Sequence, residues 1–523
     1  PAGAISLPIN VVDDQARSTD TSIALSVVAE VRISDIQGTG TGSPLAVGTQ
    51  VLTEGIVTAR RSNGYFIQSA PADEDGDPAT AEGVFVFTNT APPADAVVGN
   101  RVRVAGRITQ FSRTPHGYPL TQLSKSSLQV LLTGQALPAA VTLDASVLSA
   151  NSPIAALGRY QGMRVALPSA KVVGSTNGFG DFHVTLPETP RPFREPGIAA
   201  LDAVPLPPGN NIPVFDRNPE RLRVESLGLD AGTALNVDAG TQLQGMAGVM
   251  YYDRGDFTLL LGDNSGIVAS GGAFVSAVPS APAGAVRIGS YNIENFALTG
   301  DFLTRLDKLS EVFCQYLGNP DIVGLVEIAN QTAADRLASA INTNEFGTCP
   351  DSPQYVATVL ATSGSQRLGY LVKTAPAAGG GPRVVVDSVT EMFTTELLVA
   401  PDGSTNSGPL FDRAPLLLAA RVLGENGQEF PVSVLLNHTL SLLDVNSLAT
   451  RSDAWLTAGN RSRGKRLQQA VMLSELVEAI QTDPTPANLV LIGDYNSFDF
   501  SDGYVDVMGI IGGTPAPVDE VLL

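Results

Sequence analysis

The chain falls into two parts that differ in the spacing of their hydrophobic residues. Up to about residue 266, apolar residues come in short runs separated by Gly, Pro and Asp, as in Gln50–Val57 and Gly64–Gln68. Such runs are typical of β-strands joined by tight turns. From Val286 onward, strand-like runs alternate with apolar residues at spacings of three and four, which predicts helices that cover a sheet.

These patterns predict a multidomain protein. Short, evenly spaced strands favour one small all-β barrel at 31–135 and a second at 140–266. The hairpin that contains Gly64 in the first stretch resembles the hairpin that ends with Phe257–Leu261 in the second, which is a weak internal repeat. Residues 1–30 are predicted to be a lead-in, 268–284 a linker rich in small residues and Pro, and 285–523 an α/β domain. Within that domain, the predicted strands are 286–291, 322–328, 368–373, 431–437 and 488–493, and helices are predicted near Leu303–Leu317 and Leu467–Ile480.

The composition limits the function only loosely. The chain has 523 residues and a net charge of −20, from 52 acidic and 32 basic residues. A domain that grips nucleic acid by its phosphates is usually basic, so this charge argues against such a partner, although a local basic face can lie on an acidic body. No apolar run reaches about 18 residues, so no membrane span is expected. The start, Pro1–Ala4, lacks the features of a signal peptide, which is predicted to be absent or already removed.

The chain has two cysteines, Cys314 and Cys349. A disulfide between them would fit a secreted protein and would stabilise it by about 3–4 kcal/mol in the chain-entropy model. Two unrelated buried thiols are the alternative.

Polar residues follow the apolar runs of the C-terminal part. Asn292, Glu327 and His438 each end such a run, and Asp494 and Asn496 come directly after Leu489–Ile492. Residues two apart on an extended chain point to the same side, so Asp494 and Asn496 can face one site. Each residue alone is more simply interpreted as a turn, a cap or a surface residue. Together, they predict a shared site.

The residue types suit phosphodiester hydrolysis, which needs a cation, a positioned water and a donor to the phosphate. Mg²⁺ prefers oxygen ligands and keeps several waters, so one or two carboxylates suffice. Glu327 is the expected ligand, with Asn292 beside it. Asp494 and Asn496 are expected to orient the water and the phosphate, and His438 to donate to a phosphate oxygen.

Two basic features are candidates for phosphate binding. Arg413, within Phe411–Leu416, could form a bidentate clamp. Arg461, Arg463 and Arg466 lie with Arg451 and Lys465 between the His438 strand and the next helix, and they could follow a phosphate backbone. A solvated loop and helix start is the equal alternative. Trp455, in the same stretch, could stack on a base or serve in packing.

An acidic turn in the first barrel is a candidate calcium site. Asp73, Asp75 and Asp77 crowd carboxylates onto one loop, and Ca²⁺ takes such oxygen ligands. The spacing differs from the helix–loop–helix calcium motif because Gly76 comes too early. A solvated turn is the favoured interpretation.

Residues 286–523 resemble the endonuclease/exonuclease/phosphatase superfamily, the group of pancreatic deoxyribonuclease, and are most similar to its bacterial secreted nucleases. The resemblance implies a four-layer α/β sandwich, metal-dependent phosphodiester hydrolysis, and the roles given above for the five site residues. The β-rich stretches resemble the oligonucleotide-binding-type (OB-like) barrels that precede such domains. The matching stretches are Arg287–Phe296, Asp321–Ile328, Phe411–Leu416, Leu436–His438 and Leu491–Ser497.

The sequence departs from the family at its C-terminal end. The family pattern closes with a strand bearing an Asp-His pair, whereas this sequence ends at Pro517–Leu523. The other histidines, His116 and His183, lie in the β-rich part. A C-terminally incomplete domain is therefore expected, and a missing acid or base typically costs about 10²–10⁴-fold in rate.

The expected function is that of a secreted or surface bacterial nuclease that hydrolyses extracellular DNA, with RNA as an alternative substrate. Mg²⁺ or Mn²⁺ is the expected cofactor, and Ca²⁺ is a further candidate. A phosphoesterase acting on other phosphoesters is one alternative function. A non-catalytic surface or binding protein with a degenerate nuclease domain is the other. The sequence does not indicate an oligomeric state.

Overall fold

The computed structural model describes residues 3–113, 117–202, 204–272, 276–282, 284–360, 366–377, 380–405, 407–424, 427–483 and 488–523. The chain divides into two compact units. The N-terminal unit comprises Pro1–Arg194, Ala199–Asp202 and Asp216–Ala273. The C-terminal unit comprises Glu195–Ile198, Ala203–Phe215 and Phe274–Leu523.

The first β-rich stretch folds into a closed five-stranded sheet with a short helix. Strand β4 pairs with both β5 and β7, and β6 runs parallel to β8, so the order β4-β5-β6-β8-β7 returns to β4. Alternate residues such as Val102 and Val104 point inward and are fully buried. The elements are β3 (Ala29–Glu30), α1 (Ile33–Gln37), β4 (Gln50–Arg61), β5 (Gly64–Gln68), β6 (Gly83–Phe87), β7 (Arg101–Phe111) and β8 (Leu120–Leu132).

The second β-rich stretch forms another closed sheet. Its elements are β9 (Val141–Thr142), a 3-10 helix (Ile154–Tyr160), β10 (Arg164–Gly174), β11 (Asp181–Thr185), β14 (Leu222–Glu225), β15 (Gln242–Asp253), β16 (Asp256–Leu261) and β17 (Val268–Ser270). The order β10-β11-β14-β16-β15 returns to β10, with β14 and β16 parallel. This order matches that of the first sheet, strand for strand. The equivalent of the β4–β5 hairpin is therefore β10–β11, and not the β15–β16 hairpin that the sequence pattern paired with it.

The two barrels pack against each other within the N-terminal unit. Phe66 and Phe85 of the first lie edge to face with Tyr251 of the second, with ring centroids 5.9 and 5.7 Å from it. A side chain on Gly83 or Gly162 would collide with the backbone of the other, so both positions need glycine for this contact. The unit is one compact body although its two cores are separate.

Two segments differ from their predicted character. The predicted lead-in contains an antiparallel hairpin of two ten-residue strands, β1 (Gly3–Val12) and β2 (Ser18–Val27). The predicted linker, 268–284, begins with β17, which pairs with β15. Later in the same segment, the amide of Val278 donates to the carbonyl of Tyr316 at 2.8 Å.

Between β11 and β14, β12 (Ile198–Ala199) and β13 (Val214–Phe215) form a two-stranded sheet.

The C-terminal unit contains two four-stranded sheets. Their orders are β18-β19-β21-β20 and β22-β23-β24-β25. The strands are β18 (Ile288–Phe296), β19 (Ile322–Ile328), β20 (Tyr355–Val359), β21 (Arg367–Lys373), β22 (Val384–Glu391), β23 (Leu416–Leu423), β24 (Glu429–His438) and β25 (Leu489–Asp494). The helices are α2 (Phe302–Glu311) with a π-helical turn (Val312–Tyr316), α3 (Gln331–Asn342), α4 (Ala458–Thr482), α5 (Val507–Ile511) and a 3-10 helix (Val518–Glu520).

Hydrophobic residues pack between the two sheets and on their outer faces. One cluster joins β19 and β21 to β23 and β24, a second joins α2 and α3 to β19, and a third joins α4 and α5 to β24 and β25. Tyr370 of β21 is fully buried, and its hydroxyl contacts the carbonyls of Leu416 and Val434 in the other sheet, each at 2.8 Å. A buried hydroxyl with carbonyl partners fixes one sheet against the other.

The ends of the main helices are set by local side chains. Asn330 accepts from the amide of Ala333 at 2.9 Å and starts α3, and Thr457 accepts from the amide of Asn460 at 3.1 Å and starts α4. Among the helices of the described residues, none is long and apolar enough to cross a membrane.

The predicted disulfide is present between Cys314 and Cys349, whose Cα atoms are 5.3 Å apart. It ties the π-helical turn after α2 to the segment between α3 and β20, which closes a separation of 35 residues.

Candidate active site

Strands from both sheets of the C-terminal unit end at the same place. Strands β18 and β19 are parallel, and so are β24 and β25, where His438 and Asp494 are register partners. Because parallel strands bring their carboxyl ends to one edge, polar residues at those ends lie close together. Asn292 from one sheet contacts Asp494 from the other, although 202 residues separate them.

Asn292 links two carboxylates. Its Nδ2 donates to Glu327 Oε1 at 3.2 Å and to Asp494 Oδ2 at 3.0 Å. Its Oδ1 accepts from the amide of Glu294 at 2.9 Å. The second oxygen of Glu327 accepts from the amide of Asn295 at 3.1 Å. The structure therefore brings together the two predicted metal-site residues and the first residue of the predicted Asp/Asn pair.

The backbone is distorted where these side chains leave the sheet. Glu327 has φ +67°, and it is the extra residue in a bulge between β19 and β21. Glu294 and Asn295, with φ +48° and +53°, lie in a second bulge between β18 and β19. Left-handed conformations cost non-glycine residues about 1–3 kcal/mol, and bulges redirect side chains beside active sites. The distortion turns Glu327 towards Asn292.

The side chain of His438 lies next to that of Glu327 and is almost fully buried. Its Nε2 is 3.8 Å from Glu327 Oε1, and its Nδ1 has no hydrogen-bond partner among the described residues. Burial, reinforced by the charge of Arg413, lowers the pKa of His438 to about 4. The imidazole is therefore uncharged at neutral pH and retains one N–H donor.

Arg413 is held at the edge of the site by a small network. It donates to the carbonyls of His438 at 3.4 Å and Thr439 at 3.2 Å, and to Gln366 Oε1 at 2.8 Å. Gln366 in turn donates to Asn295 at 2.9 Å. Burial lowers the pKa of Arg413, and nearby carboxylates oppose that shift. Sequence reasoning missed Gln366, which precedes β21 and carries no motif signal.

Asp494 and Asn496 form a tight turn after β25. The amide of Asn496 donates to Asp494 Oδ1 at 2.9 Å, and Asn496 Nδ2 donates to the carbonyl of Thr439 at 3.1 Å. Asn496 has φ +47°, a conformation that Asn tolerates better than most residues. This turn keeps the second oxygen of Asp494 directed at Asn292.

The predicted basic surface does not form as expected. Arg463 and Arg466 are 4% and 0% exposed, because both lie on the face of α4 that packs inward. Arg463 donates to the carbonyl of Val445 at 2.6 Å, and Arg466 donates to the carbonyls of Leu440 and, at 2.9 Å, Asn496. Their guanidinium groups are therefore already occupied by backbone. Arg466 supports the turn that carries Asn496, a role that sequence spacing did not reveal.

The other members of the basic cluster also have protein partners. Arg461 donates to the carbonyl of Ser407 at 2.8 Å, and Lys465 pairs with Asp412 at 2.7 Å while only 2% of its side chain is exposed. Arg451 pairs with Asp453. Trp455 is buried, and its Nε1 donates to Ser407 at 3.1 Å, which supports the packing role over base stacking.

The three aspartates of the candidate calcium loop have separate partners. Asp75 accepts from the amide of Asp77 at 2.7 Å and from Thr80 at 2.8 Å, and Asp77 accepts from the amide of Ala79 at 2.9 Å. Asp73 pairs with Arg101 at 3.0 Å. Asp75 and Asp77 therefore make hydrogen bonds typical of a turn, and Asp73 forms an ion pair outside it.

The donors at the strand ends suit a hard cation. Glu327 and Asp494 offer carboxylate oxygens, which is the donor type that Mg²⁺ takes together with waters, and the carboxamide nitrogen of Asn292 faces both of them. Within the described part of the chain, no three His, Cys, Asp or Glu side chains are grouped as a complete metal cage. The set therefore fits an ion that keeps several waters. Of the other histidines, His116 lies outside the described residues, and His183 belongs to the N-terminal unit.

One family model matches part of the chain. Residues 153–270 match a family model described as a domain of unknown function, DUF8508, which covers the second barrel. No curated protein matches the chain.

Several solved structures resemble part of the chain. TDP2 from C. elegans is 18% identical over 42% of this chain and 51% of its own, with a TM-score of 0.25. Truncated Caenorhabditis elegans TDP2 is 19% identical over 42% of this chain and 67% of its own, with a TM-score of 0.27. Sphingomyelinase C from Streptomyces griseocarneus is 16% identical over 45% of this chain and 71% of its own, with a TM-score of 0.25. The chain spans about half the length of the first. Similarities this low carry no argument about activity.

Proposed function

We propose that the C-terminal unit is a divalent-metal-dependent phosphodiesterase of the endonuclease/exonuclease/phosphatase type, and that it hydrolyses DNA outside the bacterial cell. The observation that carries the proposal is the contact of Asn292 with both Glu327 and Asp494, at 3.2 and 3.0 Å, next to His438. Four strands from two sheets supply these residues, and Asn292 lies where the pairing of β18 with β19 shifts register. Two bulges and left-handed backbone at Glu327 and Asn496 accompany the cluster, and such features are often found at functional sites.

The packing of the unit supports the four-layer sandwich. One hydrophobic cluster separates the two sheets, and further clusters join a pair of helices to the outer face of each. In the N-terminal unit, two closed five-stranded sheets with one strand order support the assignment of two OB-like barrels.

Glu327 would hold Mg²⁺ or Mn²⁺, with Asn292 beside it. The ion, when bound, supplies charge neutralisation at the phosphate and lowers the pKa of a coordinated water. Asp494, fixed by the amide of Asn496, is in position to orient a water and accept its proton. The imidazole of His438 and the guanidinium of Arg413 are donors for phosphate oxygens.

Two observations bear on the substrate. The OB-like barrels favour a nucleic acid, because such barrels commonly bind single strands. The burial of Arg463 and Arg466 and the net charge of −20 favour a different, non-nucleic phosphoester, since no long basic track remains beside the site in the described residues. The disulfide between Cys314 and Cys349 supports an oxidising, extracellular location.

The test is cleavage of supercoiled plasmid by the full chain with Mg²⁺, compared with EDTA. Glu327→Gln removes the expected ligand, and Glu475→Gln, on the exposed face of α4, is its matched control. We expect the first to lower the cleavage rate by at least about 100-fold and the second to leave it unchanged. A non-nucleic phosphodiester, bis(p-nitrophenyl) phosphate, is assayed in parallel.

The outcomes separate the candidates. Cleavage of plasmid that needs Mg²⁺ and Glu327 supports the nuclease. Hydrolysis of the small diester alone supports the other phosphoesterase. Absence of both, with every added metal, would leave a binding protein with a degenerate nuclease domain.

A further inference from the structure

The second barrel contains a small basic pocket that the proposed catalytic site does not use. Its volume is about 30 Å³. A single water needs roughly 10–15 Å³ by this measure, so the pocket admits a group of a few atoms and excludes a sugar or a base. Its polar lining consists of Asn218 and Tyr252 together with the ionisable residues His183, Arg217, Arg221, Arg223 and Asp256.

Strand register brings these residues to one face. His183 of β11 is opposite Arg223 of β14, and Arg223 is opposite Thr258 of β16. Residues two apart share a face, so Arg221 and Asp256 join this side. The alternate residues, including Phe182 and Val224, point into the core and are fully buried. The sheet therefore presents one apolar and one charged face here.

The charges in the pocket do not cancel. Arg217 pairs with Asp256 at 2.9 Å, and Arg223 pairs with Asp181 at 2.6 Å. Arg221 has no carboxylate within 4.0 Å among the described residues, and it is half-buried. Burial and the charge of Arg221 lower the pKa of His183 to about 4, so the imidazole is neutral at pH 7. One positive charge is left over, in a protein whose net charge is −20.

The pocket wall has an unusual backbone. Arg217 and Asn218 are consecutive residues with φ +72° and +55°, and Asn218 is 8% exposed. Gly255, at φ +85°, lies against the guanidinium of Arg217, and an added Cβ would be 3.0 Å from its Nη1. Left-handed backbone is strained in residues other than glycine and is commonly retained where function requires it.

We propose that this pocket binds one phosphate-sized oxyanion through Arg221, with Arg217 and Arg223 also lining the site. Guanidinium groups donate paired hydrogen bonds to tetrahedral oxyanions. The ligand is either free phosphate or the terminal phosphate of a nucleic acid. The proposal does not rest on the proposed function of the C-terminal unit, because its readout is binding and not cleavage.

The test is isothermal titration of the full chain with inorganic phosphate at low salt in EDTA, which prevents metal-dependent cleavage. Arg221→Ala removes the unpaired cation. Arg107→Ala, an exposed arginine on β7 of the same unit, makes the same charge change away from the pocket. We expect the first to weaken binding at least about tenfold, the effect of losing one charge-assisted contact, and the second to leave it unchanged.

A second titration uses a short 5′-phosphorylated oligonucleotide and its unphosphorylated form. Preference for the phosphorylated strand that is lost in Arg221→Ala identifies a terminal phosphate as the ligand, and binding of inorganic phosphate alone identifies the free anion. Arg221→Lys, which keeps the charge, should retain part of the affinity and shows that the loss is not due to unfolding. No binding of either ligand by the wild type, or equal affinity in Arg221→Ala, overturns the proposal.

Discussion

Gly493 is the residue before Asp494, and its replacement by alanine should both destabilise the C-terminal unit and disturb the site. Its φ is +132°, a conformation that side chains rarely adopt. It is the register partner of Asn437 on the parallel strand β24, and an added Cβ would collide with the carbonyl oxygen of Asn437 and lie 2.7 Å from its nitrogen. Both obstacles are backbone atoms, so no side-chain rotation relieves the contact.

The cost has two parts. The conformation costs a non-glycine residue about 1–3 kcal/mol, and forcing an extra carbon into a packed position adds about 1–3 kcal/mol. We expect Gly493→Ala to lower the free energy of unfolding by roughly 4 kcal/mol in total. Because β24 and β25 must separate to admit the methyl group, His438 and Asp494 should move apart and catalysis should fall as well.

The single tryptophan makes the measurement specific. Trp455 is 6% exposed within the C-terminal unit, so its fluorescence in a urea titration reports on that unit alone. Gly403→Ala is the matched control, since Gly403 has φ +83° but nothing within 4 Å of an added Cβ. We expect the control to cost about 1 kcal/mol, from conformation alone. Equal losses in the two variants would refute the argument that the backbone contact at Asn437 matters.

Three further predictions concern stability. Replacing Cys314 and Cys349 with alanine should lower the free energy of unfolding by about 4 kcal/mol, measured by the same fluorescence titration. Tyr370→Phe should cost about 1–3 kcal/mol, because the two carbonyls that its hydroxyl contacts lose their bond to it. His183 has its pKa lowered to about 4 by burial, so the unfolded chain takes up this proton first as the pH falls. Stability of the N-terminal unit should therefore be constant above about pH 6.5 and fall between about pH 6.5 and 4, by at most about 3 kcal/mol.

For each of these three predictions, one result would contradict the physical explanation given. Reduced wild type should match the double cysteine variant, and a difference between them would mean that the substitutions damage packing. A loss below about 0.5 kcal/mol for Tyr370→Phe would show that the hydroxyl does not hold the sheets together. His183→Gln should reduce the pH dependence of thermal unfolding between about pH 4.5 and 6.5, and the contribution of His438, whose pKa is also about 4, should remain. An unchanged slope would assign the whole pH dependence to groups other than His183.

The sequence predicted most of the strands that carry the site and fewer of the others. The predicted 322–328 and 488–493 agree closely with Ile322–Ile328 and Leu489–Asp494, because each contains an uninterrupted apolar run, although β19 is buried and β25 is half-buried at the edge of its sheet. Strand β23 and helix α3 were missed. The first is an apolar run followed by no polar motif, and the inner face of the second is mostly alanine, which gives a weak periodic signal.

The polar residues of the site could be predicted, but their contacts could not. Asn292, Glu327, His438 and Asp494 stood out because each ends an apolar run. The bulge at Glu327 depends on strand register, which the local pattern does not contain. The burial of Arg463 and Arg466 on α4 could not be predicted either, because it also depends on tertiary contacts. A charged residue at helical spacing looks alike in sequence whether it faces water or, as with Arg466, carbonyl groups in the interior.

The hydrogen bond between Asn292 and Asp494 means that the site forms only after both sheets have folded and docked. One residue belongs to the first sheet and the other to the second, and 202 positions of chain lie between them. No fragment that contains only one sheet holds both carboxylates, and a nascent chain has no site until β25 has emerged and docked. Proteolysis between the sheets followed by separation of the two fragments would therefore abolish activity without removing any site residue, and recovery of activity on mixing the fragments would report the docking of the two sheets rather than the formation of either one.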